Sequence, residues 1–345
     1  MLVRSISYTD RRIWREEMRL ISFALAFSAL AQSAQAQTPV LNVLTYDSFT
    51  SEWGPGPAVE AAFEATCACD LVFSAVGDGA ELLARLQLEG ARSEASVVLG
   101  LDTNLTAQAS ATGLFAPHGQ TAGNDLPVPF ADPNFLPYDW GYFAFVYDTT
   151  KLATPPKNFE ELAASDLKIV IQDPRSSTPG LGLLLWVKAA YGDRAAEIWA
   201  ALADNIITVT PGWSEAYGMF TAGEADMVLS YTTSPAYHLI AEEDATKAAV
   251  PFTEGHYMQV EVAGKLANAP QPELADQFLA FMGSDAFQSV IPTTNWMYPA
   301  HTLAAGLPKG FEQMITPATS LLMTADEAQL ARTPALDEWL TALSR

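Results

Sequence analysis

Short apolar runs alternate along this chain with segments whose apolar residues recur every three or four positions. Residues 41–44, 71–76 and 96–101 read as strands, and 57–65 and 79–89 between them read as helices. The alternation resumes with a strand at 168–172, helices at 181–191 and 213–221, a strand at 225–230 and a helix opening near Pro235. Such alternation predicts βαβ units with largely parallel sheets, here two of them. Residues 142–147 (YFAFVY) and 256–263 (HYMQVEVA) are extended segments without internal turn residues, and read as strands crossing between the two units. Residues 271–283, 285–290 and the tail from 323 carry helical patterns. The expectation is an α/β fold of two lobes, each with a core of its own, joined by two crossing strands with a cleft at the sheet ends.

The first 36 residues stand apart. Arg19 is followed by an apolar run, 20–30, and by Ser33-Ala34-Gln35-Ala36, the pattern of a secretory signal peptide, with Met18 as an alternative start. No later stretch reaches the ~18 apolar residues of a membrane span. Removing residues 1–36 takes the formal net charge from −22 to −24, because they carry five Arg against three acids. So acidic a chain repels nucleic acid and anionic lipid, and a solvated exported protein accounts for the charge as well as attraction of a cation does. Cys67 and Cys69 are the two cysteines, and the four His are at 118, 238, 256 and 301, none at ligand spacing from them. A local staple is the expected role; no metal site is.

In open α/β sheets ligands bind beyond the carboxyl ends of strands. Those positions here hold Tyr46, Asp47 and Ser48 with Trp53, Asp78 and Gly79, Asp102, Asp173, the run Ser176-Ser177-Thr178-Pro179-Gly180, and Tyr231 with Tyr237. Gly212-Trp213-Ser214 opens a helix, and Asn295-Trp296-Met297-Tyr298 sits in a Pro-bounded loop. Aromatic faces beside carboxylates fit a flat cation, each face worth about 0.5–2 kcal/mol when desolvated. Hydroxyls and free N–H groups ahead of a helix fit a hydroxyl or phosphate. The plainer roles are that Asp78, Asp102 and the Ser/Thr residues cap helices, that Tyr217 packs beneath Trp213 one turn away, and that Trp186 and Trp199 are core.

Read in order, YDSF..EWGPGP, VVLGLD, DWGYFAFVYD, QDPRSSTPGLGLLLW, GWSEAYG, LSYTTSPAY, EGHYMQVEVA and NWMYP closely resemble the periplasmic thiamine-binding proteins of bacterial ABC importers. The likeness runs from about residue 41 to 299, includes the Cys-x-Cys, and is looser in the tail; Val76, Gly77 and Trp140 depart from the family pattern. The resemblance implies a type II-like two-lobed periplasmic binding protein, not an enzyme. It would carry no cofactor, bind thiamine and its mono- and diphosphates as ligand, and act as a monomer with a membrane permease and its cytoplasmic ATPase. It assigns the ring contacts to Tyr46, Trp53, Trp213, Tyr237 and Trp296 and a phenol to Tyr231. The acidic turn at the aminopyrimidine falls to Asp78 and Gly79, the hydroxyl or phosphate end to Ser177, Thr178 and Ser48, and Asp47 adjoins them.

The domain expectation is a signal peptide over 1–36, lobe 1 over 37–142 plus 258–298, lobe 2 over 143–257, and a helical tail, 299–345, packed on lobe 2. Two rivals keep the fold. A polyamine or ferric-ion receptor wants spread acids or an adjacent Tyr pair, and no Tyr-Tyr occurs. A thiamine-degrading transferase wants a cysteine nucleophile, and Cys67 and Cys69 fall between a helix and a strand, at the far end from the strand tips.

Overall fold

The computed structural model describes residues 38–121 and 123–344, so the expected signal segment lies outside it. Twelve strands are present among these residues: β1 (Val40–Thr45), β2 (Asp70–Ala75), β3 (Val97–Asp102), β4 (Phe115–Ala116), β5 (Phe135–Asp148), β6 (Ile169–Gln172), β7 (Ile206–Thr210), β8 (Met227–Tyr231), β9 (Lys247–Ala249), β10 (His256–Leu266), β11 (Tyr298–Pro299) and β12 (Ser320–Leu321). The long path through the sheet runs β2-β1-β3-β10-β5-β8-β6-β7. Its two ends are parallel, β2/β1/β3 and β8/β6/β7, as alternation with helices requires. Its centre is antiparallel, β3/β10, β10/β5 and β5/β8. β5 pairs with β10 up to Tyr142 and with β8 from Phe143 onward, so a single strand passes from one α/β half to the other.

The helices Gly56–Glu64 and Gly79–Glu89 cover the first half, and Thr178–Tyr191 and Trp213–Thr221 the second. In Thr178–Tyr191 ten consecutive residues from Thr178 to Val187 are buried, which suits a helix apolar on every side. Trp186 and Trp199 are core residues, and the Trp186 indole N–H donates to the Gly255 carbonyl at 2.9 Å. The apolar interior differs from the expectation of two separate cores. One cluster runs from Leu82, Leu83 and Leu86 through Phe143 and Phe145 to Leu184, Trp186 and Trp199, with smaller clusters beneath β1 and against Trp213–Thr221. Phe143 and Phe145 on β5 and Tyr257, Met258, Val260 and Val262 on β10 belong to the large cluster and fuse what the sequence divides.

Two regions escaped the sequence reading. β7 and the preceding helix Ala195–Leu202 complete the second half; the strand reads weakly because Thr208 and Thr210 interrupt its apolar run and much of it is only half-buried. β5 also begins seven residues before 142, despite Pro137. The ladder shifts there, pairing Glu261 with Asp139 but Val262 with Pro137, so Tyr138 is the extra residue of a bulge, which removes the need for a proline N–H.

Cys67 and Cys69 are joined by a disulfide in the turn before β2, with Cα atoms 5.3 Å apart. The last helix, Ala325–Leu343, starts with a capping box between Thr324 and Glu327. It packs on Thr178–Tyr191 and Ala195–Leu202 and also touches the helix Thr106–Ala111. Lys188 pairs with Glu338 at 2.7 Å, and Arg332 donates to Gln108. No helix among the described residues is long and apolar enough to cross a membrane.

Two features of β3 carry stability consequences. Gly100 has φ +108°, and a Cβ there would fall inside the Tyr46 ring. Gly100→Ala therefore combines backbone strain with overpacking and is expected to cost about 2–4 kcal/mol in guanidinium unfolding; a change below about 0.5 kcal/mol would show that neither acts. Asp102, fully buried at the strand end, accepts from the Asn104 N–H at 3.1 Å and the Asn104 amide at 2.7 Å, yet burial pushes its pKa up to about 7. A carboxyl whose folded pKa is raised holds a proton that the unfolded chain releases near pH 4, so its stabilising contribution is lost as pH rises from about 4 to about 7. Asp102→Asn is expected to gain on the wild type over that window by up to about 4 kcal/mol. Parallel melting curves for the two proteins from pH 4 to pH 8 would refute the assignment.

Candidate functional site

Strand ends from both halves converge on one cavity of about 490 Å³. Of the twelve residues singled out from sequence, ten line it: Tyr46, Ser48, Trp53, Asp78, Gly79, Thr178, Trp213, Tyr231, Tyr237 and Trp296. Asp47 is exposed and Ser177 fully buried, and neither lines the cavity.

Each ring is held by its own local structure. Tyr46 follows β1 directly and is only 6% exposed, since Gly100 lets its ring lie flat on β3. Its one hydroxyl proton is directed to Glu261 Oε2 at 3.0 Å, with Asn295 Oδ1 at 3.2 Å as a second acceptor within reach. Trp53 is half-exposed at the mouth, and its ring centroid lies 6.2 Å from that of Trp213 on the opposite half. Trp213 opens its helix and stacks on Tyr217 at 4.8 Å, while its indole N–H donates to Ser230 Oγ at 2.8 Å. Tyr217 thus packs beneath Trp213 and reaches the cavity as well. Tyr231 stacks on Phe143 at 5.2 Å and donates to Gln259 Oε1 at 3.0 Å. Tyr237 meets Trp296 edge-on at 5.4 Å, and its hydroxyl donates to Glu242 Oε1 at 2.8 Å. Trp296 sits at φ +57°, a costly left-handed conformation for a bulky residue, just after the short helix Ile291–Thr294. That conformation turns its ring into the cavity.

Asp78 occupies the N-cap position of Gly79–Glu89 but makes no capping bond. Its Oδ2 instead accepts from Ser177 Oγ at 2.6 Å and from the Trp213 N–H at 3.1 Å, so a carboxylate from one half is tied to two segments of the other. Beside it the Gly79 N–H donates to Thr178 Oγ1 at 3.1 Å. Burial pushes the Asp78 pKa up to about 7 against the pull of these two donors, with Glu261 and Glu215 adding to the rise. Ser177 therefore reaches the cavity only through Asp78.

Sequence reasoning missed Glu261 and Glu242, which line the cavity, while Asn295, Met297 and Ser234, which sequence placed only in loops near the strand tips and gave no ligand contact, line it too. A signal for the first was present: Gln259 and Glu261 alternate within the otherwise apolar β10, which points two polar side chains to one face of a buried strand. Three carboxyl groups, on Asp78, Glu242 and Glu261, border the cavity, and no Lys, Arg or His among the described residues does. His238, Glu242 and Asp244 lie close together, but His238 is taken up by Tyr217 at 2.9 Å and Glu242 at 2.6 Å. The arrangement suits a flat, positively charged organic molecule held between rings. Neither cysteine lines the cavity.

The chain matches the family model for bacterial extracellular solute-binding proteins over residues 52–289. It is 55% identical over 311 residues to the thiamine-binding periplasmic protein of Salmonella typhimurium, covering 89% of this chain and 94% of the relative. To the protein of the same name from Brucella melitensis it is 51% identical over 332 residues, covering 95% and 99%. Among solved structures, a periplasmic thiamin binding protein aligns with a TM-score of 0.88 at 53% identity, covering 90% of this chain and 98% of that one. The two-lobed α/β fold expected from sequence is the fold of that neighbour, and this chain belongs to the family of bacterial extracellular solute-binding proteins.

Proposed function

We propose that this protein captures thiamine, and its mono- and diphosphate esters, in the periplasm and delivers it to an ABC permease powered by a cytoplasmic ATPase. The observation that carries the reading is a cavity walled by Trp53, Trp213, Tyr231, Tyr237 and Trp296 and bordered by three carboxyl groups without a basic residue. A thiazolium is a flat cation, which aromatic faces and carboxylates attract together. Relatives at 50–55% identity that bear the name thiamine-binding periplasmic protein support the choice of cargo. Thiamine is cargo here, and the protein needs no cofactor.

In this reading Tyr46 and Trp53 form one wall, and Trp213, Tyr231 and Tyr237 close from the other half. Asp78 meets the aminopyrimidine, and Ser48 and Thr178 lie toward the hydroxyl or phosphate. The lobes are 37–142 with 258–298 and 143–257, which is consistent with the switch of β5 partners between Tyr142 and Phe143, and the 299–345 tail follows them. Affinity couples to closure, because only the closed form makes both sets of contacts. Binding without turnover is favoured because both cysteines are spent in a disulfide at the entrance to β2, whereas the cavity adjoins the strand exits.

Isothermal titration with thiamine is expected to give a saturable one-site curve, and no heat at micromolar protein would reject the reading. Trp296→Ala and Tyr237→Ala should each weaken binding by about 1–3 kcal/mol through lost stacking and burial. Unchanged affinity in both would move the ligand elsewhere. Asp78→Asn should reduce affinity far more than melting temperature; the opposite outcome would make Asp78 a structural tie between halves and nothing more.

A further inference from the structure

At the floor of the cavity lies a carboxyl pair, Glu261 on the lining and Asp139 behind it, that the ring contacts do not explain. Glu261 lines the cavity yet is only 6% exposed. Its Oε2 accepts from the Tyr138 hydroxyl at 2.6 Å and the Tyr46 hydroxyl at 3.0 Å, and its Oε1 accepts from the Gln259 amide at 2.8 Å. All of these donors are neutral, and no Lys, Arg or His is among them. Directly across the ladder sits Asp139, fully buried; its Oδ2 accepts from the Asn295 amide at 2.6 Å, and its Oδ1 has no partner among the described residues.

Two adjacent buried carboxyls do not both ionise. The proton goes to the member with fewer donors, Asp139, whose pKa is driven well above the usual carboxylate range by burial and by Glu261. Burial raises Glu261 as well, against the Tyr138 and Tyr46 hydroxyls, Asp139 and the Asn295 amide. With three donors on its two oxygens against one on Asp139, Glu261 is the better placed of the two to hold the charge of the pair. The other carboxyls at the cavity are otherwise engaged. Asp78 is tied to Ser177 and Trp213, and the Glu242 side chain is 44% exposed and paired with His238 and Tyr237.

We propose that Glu261 is the residue that makes this cavity select a cation over a neutral molecule of the same shape. The floor carries a desolvated negative charge with neutral hydrogen-bond partners only, and a bound cation supplies the countercharge that the protein does not. Such a pair sits in low dielectric, so it is stronger than attraction by the acidic surface and is screened far less by salt. Tyr46 serves two purposes, offering its ring to the cavity and its hydroxyl to Glu261.

The inference rests on the thiamine reading, and the test separates the two. Wild type and Glu261→Gln are titrated with thiamine and with its neutral deaza analogue, in which carbon replaces the charged ring nitrogen. The wild type is expected to prefer thiamine by about tenfold or more, a preference that survives a rise from roughly 0.1 M to roughly 1 M salt. In Glu261→Gln the preference should fall to within about twofold, chiefly through weaker thiamine binding. A preference retained in Glu261→Gln, absent from the wild type, or abolished in the wild type by salt overturns the role of Glu261 and leaves the receptor reading standing. A wild type that binds neither molecule overturns both. If the variant does not fold, the wild-type salt series decides alone.

Discussion

The antiparallel ladder between β5 and β10 sets Glu261 opposite Asp139, and the site is built outward from that register. Like charges facing each other across a ladder are destabilising, and burial makes the conflict worse. The surrounding donors answer it: Tyr138 and Tyr46 on Glu261, Asn295 on Asp139, and Gln259 bridging to Tyr231. These five side chains come from the residue after β1, from β5, β8 and β10, and from the loop after Ile291–Thr294. A one-residue slip of β10 would turn Gln259 and Glu261 to the other face and leave the Tyr46, Tyr138 and Tyr231 hydroxyls without these partners. The bulge at Tyr138 belongs to the same device, since it lets Pro137 sit in the strand while carrying the Tyr138 hydroxyl to Glu261.

Around this floor the aromatic walls make more contacts where they meet the sheet than at the mouth. Tyr46 and Tyr231 are each fixed by a hydrogen bond at the phenol and a packed ring. Trp53, half-exposed, is held chiefly by its approach to Trp213. Asp78 reaches from the first half to the Trp213 N–H and Ser177 of the second, so the halves are linked beside the cavity by hydrogen bonds that motion between them must break. A continuous apolar cluster across both halves restricts where such motion can occur, namely at the two strands that join them.

The helix–strand alternation was legible because period and composition are local properties. Gly79–Glu89 and Trp213–Thr221 begin and end where their patterns do, and 142–147 and 256–263 read correctly as the extended connectors. β7 and the first half of β5 were not legible, the former for its half-buried threonines, the latter for Pro137, which only a bulge makes compatible with a strand. Most of the cavity was readable for a general reason: in an α/β sheet, residues after strands gather at one edge. Asp78 shows the limit, since its sequence position fits a helix cap and its carboxylate bonds elsewhere.

By itself the sequence determined the class of fold, the two bridging strands and the aromatic, acidic character of the strand tips, because alternation, strand-end position and residue type are all read along the chain. Only the tertiary structure decided that Glu261 and Asn295 line the cavity with Asp139 behind them, that Ser177 bonds to Asp78, and that one apolar cluster runs through both halves. Those facts depend on cross-strand register and on side chains 99 to 249 residues apart in the chain meeting at hydrogen-bond distance. Such pairings leave no periodic trace in a single sequence.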